Sequence, residues 1–165
     1  MKDKRVLSSV ACLYLDRAID GLDIESKDLR GAIAGIHPDK ILLHQHESDG
    51  TVKYNYPLVQ YKSVRRKCLI IGIKDGAKLI HELDLIGKTI QLSNESYTIV
   101  KKEASIQVLS YGSTEVIISY SFLTPWLALN EKNYDKYLRL GSWVKKKELL
   151  ENILVGNIIS MSKSL

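Results

Sequence analysis

From Val6 to about Val100 the apolar residues of this chain are spaced as strand, helix, strand, strand, helix, strand. That βαββαβ order predicts an α+β, ferredoxin-like sandwich, with additional strands and with helices at the C-terminal end. Three observations carry the expectation. Val6, Leu7, Val10, Leu13 and Leu15 crowd residues 5–15 in strand-like fashion. Leu29, Ala32, Ile33 and Ile36 recur at three- and four-residue steps, as the inward face of a helix does. The compact apolar run 68–73 faces a β-rich segment across the basic turn Arg65-Arg66.

Each element has its boundary signals. After the Asp20-Gly21 turn, Asp23 or Ser26 can cap the first helix, and Pro38 closes it. Residues 41–43 and 52–63 are β-rich and are separated by Ser48-Asp49-Gly50. Asp75 is placed to cap a second helix with Leu79, Ala77, Ile80 and Leu83 inward and Gly87 as its stop. Lys88 to Leu92 and Tyr97 to Val100 are expected strands, followed by a pair over 104–110 and 114–123 hinged at Tyr111-Gly112-Ser113. In the last of these Val116, Ile118, Tyr120 and Phe122 alternate with Ile117, Ser119 and Ser121.

After Pro125 the pattern turns helical. Asn130 can cap a short helix bearing Tyr134, Tyr137 and Leu138, and a longer one from about Val144 carries Leu149, Leu150, Ile153, Leu154, Ile158, Met161 and Leu165. The expected organisation is a ferredoxin-like domain over 1–125 and a helical extension over 126–165 leading towards a second domain that is absent. The apolar stripe of the extension suits a second copy or a partner domain.

With 165 residues, 45% hydrophobic and 26% charged, the composition is that of a folding domain rather than a disordered one. No run of about eighteen apolar residues is present, and Met1-Lys2-Asp3-Lys4-Arg5 opens a stretch too polar for a signal-peptide core, so a cytoplasmic protein without a membrane partner is expected. Cys12 and Cys68 are far apart in apolar runs and are expected to be reduced. The 24 basic against 19 acidic residues, a formal +5, lean mildly towards acidic partners.

The unusual chemistry is concentrated between His44 and Asp75. Two histidines two residues apart, interleaved tyrosines and lysines, and the knuckle Arg65-Arg66-Lys67 make up a composition suited to a phosphate backbone. A solubilising hairpin end is the alternative for the basic residues, and packing on the sheet is the alternative for Tyr54, Tyr56 and Tyr61.

Leu29-Arg30-Gly31, Leu42-Leu43-His44-Gln45-His46, Tyr54-Asn55-Tyr56-Pro57-Leu58-Val59-Gln60-Tyr61-Lys62 and Ile71-Gly72-Ile73-Lys74-Asp75-Gly76-Ala77 follow one another in order. Leu123-Thr124-Pro125-Trp126-Leu127-Ala128-Leu129-Asn130 and Gly156-Asn157-Ile158-Ile159-Ser160-Met161-Ser162-Lys163 continue the series. Together they resemble the N-terminal portion of the CRISPR repeat-RNA processing endoribonucleases, type-B branch. The resemblance implies two ferredoxin-like domains, of which only the first is expected here, and metal-independent cleavage of the CRISPR precursor transcript within its repeats.

Such cleavage needs a base for the 2′-hydroxyl proton and an acid for the 5′-oxygen, and histidine serves for either. His46, beside Glu47 and the Ser48-Asp49-Gly50 turn, is the expected general base, and His44, after Ile41-Leu42-Leu43, the acid or orienting partner. Arg30, Tyr54, Tyr56, Lys62, Arg65, Arg66 and Lys67 are the expected RNA contacts. His37 lies near the His-x-His pair, but no cysteine cluster completes a tetrahedral set, so neither metal nor other cofactor is expected. A non-catalytic RNA-binding or assembly module uses the same basic surface without the histidines.

Overall fold

The computed structural model describes residues 4–19, 24–44, 56–123, 126 and 129–165, in two units, Met1–Ser113 and Thr114–Leu165. In the first unit β1 spans Lys4–Leu15, α1 Ser26–Ile36, β2 Val59–Val64 and β3 Lys67–Ile73. Then come α2 Asp75–Glu82, β4 Thr89–Leu92 and β5 Glu95–Tyr111. The sheet order is β2-β3-β1-β5-β4 with antiparallel pairings throughout. With β5 as the sixth element of βαββαβ and β4 as a short addition at its edge, this is the ferredoxin-like arrangement the sequence predicts.

Burial alternates along β1 because its two faces differ. Ala11 and Leu13 enter the core with Ile70 and Cys68 of β3, their register partners, and with Leu29 and Ile33 of α1 and Ile80 of α2. On the opposite face Cys12 pairs with Leu69 and Tyr14 with Lys101. Cys12 and Cys68 therefore point to opposite sides of the sheet, and both are free thiols. Gly72 and Gly76 let α2 lie close on the sheet, since a Cβ on Gly76 would run into the Leu58 carbonyl and one on Gly72 into Gly76 itself.

Several local expectations are corrected. Residues 41–43 form a single 3₁₀ turn rather than a strand. The cap of α1 is Glu25, which makes no side-chain cap bond, and Asp75 is the first residue of α2 rather than its cap. That helix stops at Glu82, before Gly87, whose φ of +79° serves the turn into β4. The orphan carbonyls at its end are taken by Lys102, whose Nζ donates to Ile80 O, His81 O and Leu83 O. The strands expected at 97–100 and 104–110 are one continuous strand, β5.

In the second unit α3 spans Glu131–Arg139 and α4 Trp143–Ser164. Asn130 caps α3 as expected, its Oδ1 accepting from Asn133 N at 2.9 Å. Residues 114–123 are not a strand: Ile117 is 94% and Tyr120 87% exposed. Alternation selects a face only where a neighbouring strand completes the ladder, and no described residue of this unit belongs to a strand. On α4 Leu149 is buried and Leu150, Ile153, Leu154 and Met161 are half-buried, whereas Val155, Ile158 and Ile159 are exposed. No helix among the described residues is long and apolar enough to cross a membrane.

Candidate nucleic-acid interface

The 3₁₀ turn Ile41–Leu43 sets the position of His44. Leu43 is 1% exposed and anchors the turn in the core, while its carbonyl accepts from the Tyr61 hydroxyl at 3.3 Å. His44 leaves the turn in an extended conformation, its N–H bonded to Ile41 O at 3.0 Å. The imidazole is half-buried, and its Nε2 is buried without a hydrogen-bond partner among the described residues.

Tyr61 also lines a cavity of about 240 Å³ between the start of α1 and the edge strand β2. Its walls include Lys27 and Arg30 from α1, Gln60 and Lys62 from β2, and Pro57. Three cations thus converge on one opening, next to the chain that carries His44. Lys27 pairs with Glu25 at 2.8 Å, which holds its ammonium pKa above the ordinary value. Burial pushes the Tyr61 phenol up, against the opposing charge of Arg30, so this tyrosine is a neutral wall. At 6% exposure it packs in the core and does not offer a face for stacking.

The expected basic residues fall into two places. Arg30 and Lys62 share the first cavity, and Arg66 and Lys67 line a second one, with Arg17, at the far end of the β2–β3 hairpin. Arg65 is exposed in the hairpin turn and lines neither. Tyr56 is half-buried beside Pro57, and His46 and Tyr54 lie outside the described residues. His37 Nε2 is 3.2 Å from the Asp84 carbonyl, and the described residues contain no group of three His, Cys, Asp or Glu able to hold a metal.

Arg65 and Arg66 form the two-residue turn with φ of 51° and 62°. Both central residues of this hairpin are left-handed, the conformation of a type I′ turn, in which Asn-Gly is the favoured pair. Side chains with a Cβ in that region cost roughly 1–2 kcal/mol each, so the turn carries strain where the cations stand.

Sequence reasoning missed Lys27 and Arg17. Lys27 sits three residues before Arg30 and so on the same helix face, a legible signal. Arg17 reaches its cavity only through the pairing of Leu13 with Cys68, which no local pattern announces.

A ferredoxin-like domain with a cation-lined cavity at its edge defines the class. Residues 12–110 match the Cas6b N-terminal domain and residues 112–165 the Cas6b C-terminal domain. The chain belongs to the Cas6b family. The match over 112–165 corrects the expectation that only the N-terminal portion of the family is represented, since parts of both domains are present. A crystal structure of Cas6b is 32% identical with a TM-score of 0.78, covering 96% of this chain and 72% of that one. A second, titled CRISPR RNA processing endoribonuclease Cas6b, is 26% identical with a TM-score of 0.64, covering 96% and 69%. The uncharacterized protein MJ0978 of Methanocaldococcus jannaschii is 48% identical over 84 residues, 51% of this chain and 56% of that relative. The chain thus spans little more than half the length of that curated relative.

Proposed function

We propose that this chain acts in the cytoplasm on CRISPR precursor RNA, cutting within the repeats without a metal ion. Family membership supports the substrate class. The observation that carries the site assignment is the attachment of Leu43, and with it His44, to Tyr61 in the wall of the Lys27, Arg30 and Lys62 cavity. The cations neutralise backbone phosphates on either side of the scissile linkage. One histidine, assigned as His46, takes the proton from the 2′-hydroxyl, whose oxygen attacks phosphorus. The 5′-oxygen leaves with a proton from the second, assigned as His44. A 2′,3′-cyclic phosphate and a free 5′-hydroxyl result.

The exposed apolar residues Val155, Ile158 and Ile159 support association of α4 with a second copy of the chain. Sedimentation over a concentration series checks this: a dimer is expected, and a monomer at every concentration removes it.

The activity is tested with labelled repeat RNA in EDTA, beside a substrate carrying a 2′-deoxy sugar at the scissile nucleotide. His46→Ala is expected to slow cleavage roughly 10²- to 10⁴-fold with affinity nearly intact. Arg30→Ala with Lys62→Ala is expected to weaken binding and to reduce its salt dependence, about −0.7 per phosphate in the log–log slope. Cleavage of the deoxy substrate would end the 2′-hydroxyl mechanism. RNA bound but never cut would instead make the chain a binding or assembly module.

A further inference from the structure

The second cavity shares no residue with the first and has a different construction. It measures about 150 Å³ and lies where β1 runs out beside the β2–β3 turn. Buried Leu13, Ile19 and Cys68 give it an apolar floor. Tyr14 is a fixed wall: its hydroxyl donates to Glu103 at 2.6 Å and Lys101 Nζ stands 5.2 Å from its ring centre. At the mouth stand Arg17, Arg66 and Lys67, with no carboxylate among the described lining residues.

The three cations are not equivalent. Arg17 is engaged by Glu95 at 2.9 Å and lies 4.7 Å over the Tyr97 ring. Arg66 makes no ion pair within the described residues, and Lys67 makes none at contact distance, though its charge helps lower the Glu103 carboxyl. Arg66 stands in the left-handed region that the two-residue hairpin turn requires, and it lines the opening. An apolar cavity of about 150 Å³ is the size that takes a single six-membered ring such as benzene. A single ring carrying an anion has the shape of a pyrimidine nucleotide, the smaller of the two base classes.

We propose that this cavity binds one unpaired pyrimidine nucleotide of single-stranded RNA, with the base against the apolar lining, the half-exposed Cys12 included, and a phosphate on Arg66 and Lys67. The inference rests on the reading that the chain binds RNA, and gives that RNA a second point of attachment, chosen by ring size. Unpaired bases are commonly held in this way, by stacking and apolar contact combined with backbone charge.

The chain's two cysteines supply the test. Cys12 lines the cavity and is half-exposed, whereas Cys68 lies in its floor with a thiol that burial pushes up to about 11. Iodoacetamide near pH 8 should therefore label Cys12 first, and Cys12→Ser identifies the labelled thiol. Short oligouridylate at about ten times its Kd, set by fluorescence anisotropy, is expected to slow labelling roughly tenfold. Oligoadenylate bound to the same occupancy should slow it far less. Arg66→Ala with Lys67→Ala should abolish the protection at the same oligouridylate concentration. Arg65→Asn with Arg66→Gly removes two cations, one of them from the cavity lining, while relaxing the turn, so protection lost there cannot be ascribed to unfolding.

Repeat RNA and oligouridylate that bind by anisotropy while Cys12 labels at its free rate would overturn this site and leave the proposed function standing. Binding of neither RNA would overturn both. Equal protection by oligoadenylate would overturn the choice of a pyrimidine.

Discussion

β1 and residues 114–123 are written in the same alphabet, β-branched and aromatic residues at alternate positions, yet one is the central strand of a sheet and the other is no strand at all. β1 has a partner on each side, β3 and β5, and so satisfies its backbone while burying Ala11 and Leu13. Val116, Ile118, Tyr120 and Phe122 meet no neighbouring strand within their unit and remain exposed. Alternation is thus a statement about which face would be buried; whether burial follows depends on a ladder supplied from elsewhere.

The sharpest test of this contrast pairs a substitution in each region. Ile70→Ala, opposite Ala11 in a fully buried site, is expected to cost roughly 2–5 kcal/mol in urea unfolding, and Ile117→Ala to fall within about 0.5 kcal/mol. Equal losses would mean that 114–123 is packed after all.

A smaller effect concerns a residue that breaks the apolar pattern inside the sheet. Lys102→Ala removes the donor to three carbonyls at the end of α2 and should destabilise the first unit by about 1–2 kcal/mol, with faster amide exchange in the last turn of that helix. Relaxing the hairpin by Arg65→Asn with Arg66→Gly should act in the opposite direction, raising stability by about 1 kcal/mol. A loss there would show that the arginines support the sheet rather than strain it.

The smallest expected effect is on pH dependence. Arg17, then Tyr97, hold the Glu95 carboxyl below its ordinary value, and Lys101, then Tyr14, do the same for Glu103. A depressed carboxylate contributes stability above the unfolded pKa, about 4.3, and loses it as pH falls through the lower folded value. Glu95→Gln with Glu103→Gln should therefore flatten the acid limb of the stability profile below about pH 4 and leave the shape near neutrality unchanged. Both groups are exposed, so the effect should shrink further in salt.

The βαββαβ order was legible because each of its elements has at least one apolar face. The continuity of β5 was not, because Lys101-Lys102-Glu103 interrupts the apolar sequence, and only the end of α2, distant in sequence, explains why Lys102 belongs there. Arg30, Lys62, Arg66 and Lys67 stood out as basic residues near the histidines. Their separation into two cavities follows from α1 meeting β2 and from the register of β1 on β3, which local sequence does not encode. Lys27 was within reach of helical spacing, whereas Arg17 was not.

The pairing of β1 with β5 also bears on how the first unit comes into being. Lys4 pairs with Tyr111 and Leu13 with Lys102, so the central strand finds one of its two partners only at the far end of the unit. Loop closure over such a separation precedes most of the contacts that reward it, which makes folding slow for a domain of this size. During synthesis the β2–β3 hairpin can form early, but β1 must wait with one edge bare until Tyr111 has left the ribosome. Through that interval Val6, Val10 and Leu13 stand as an open template for other chains, and the demand for chaperone protection should peak there rather than at the end of translation.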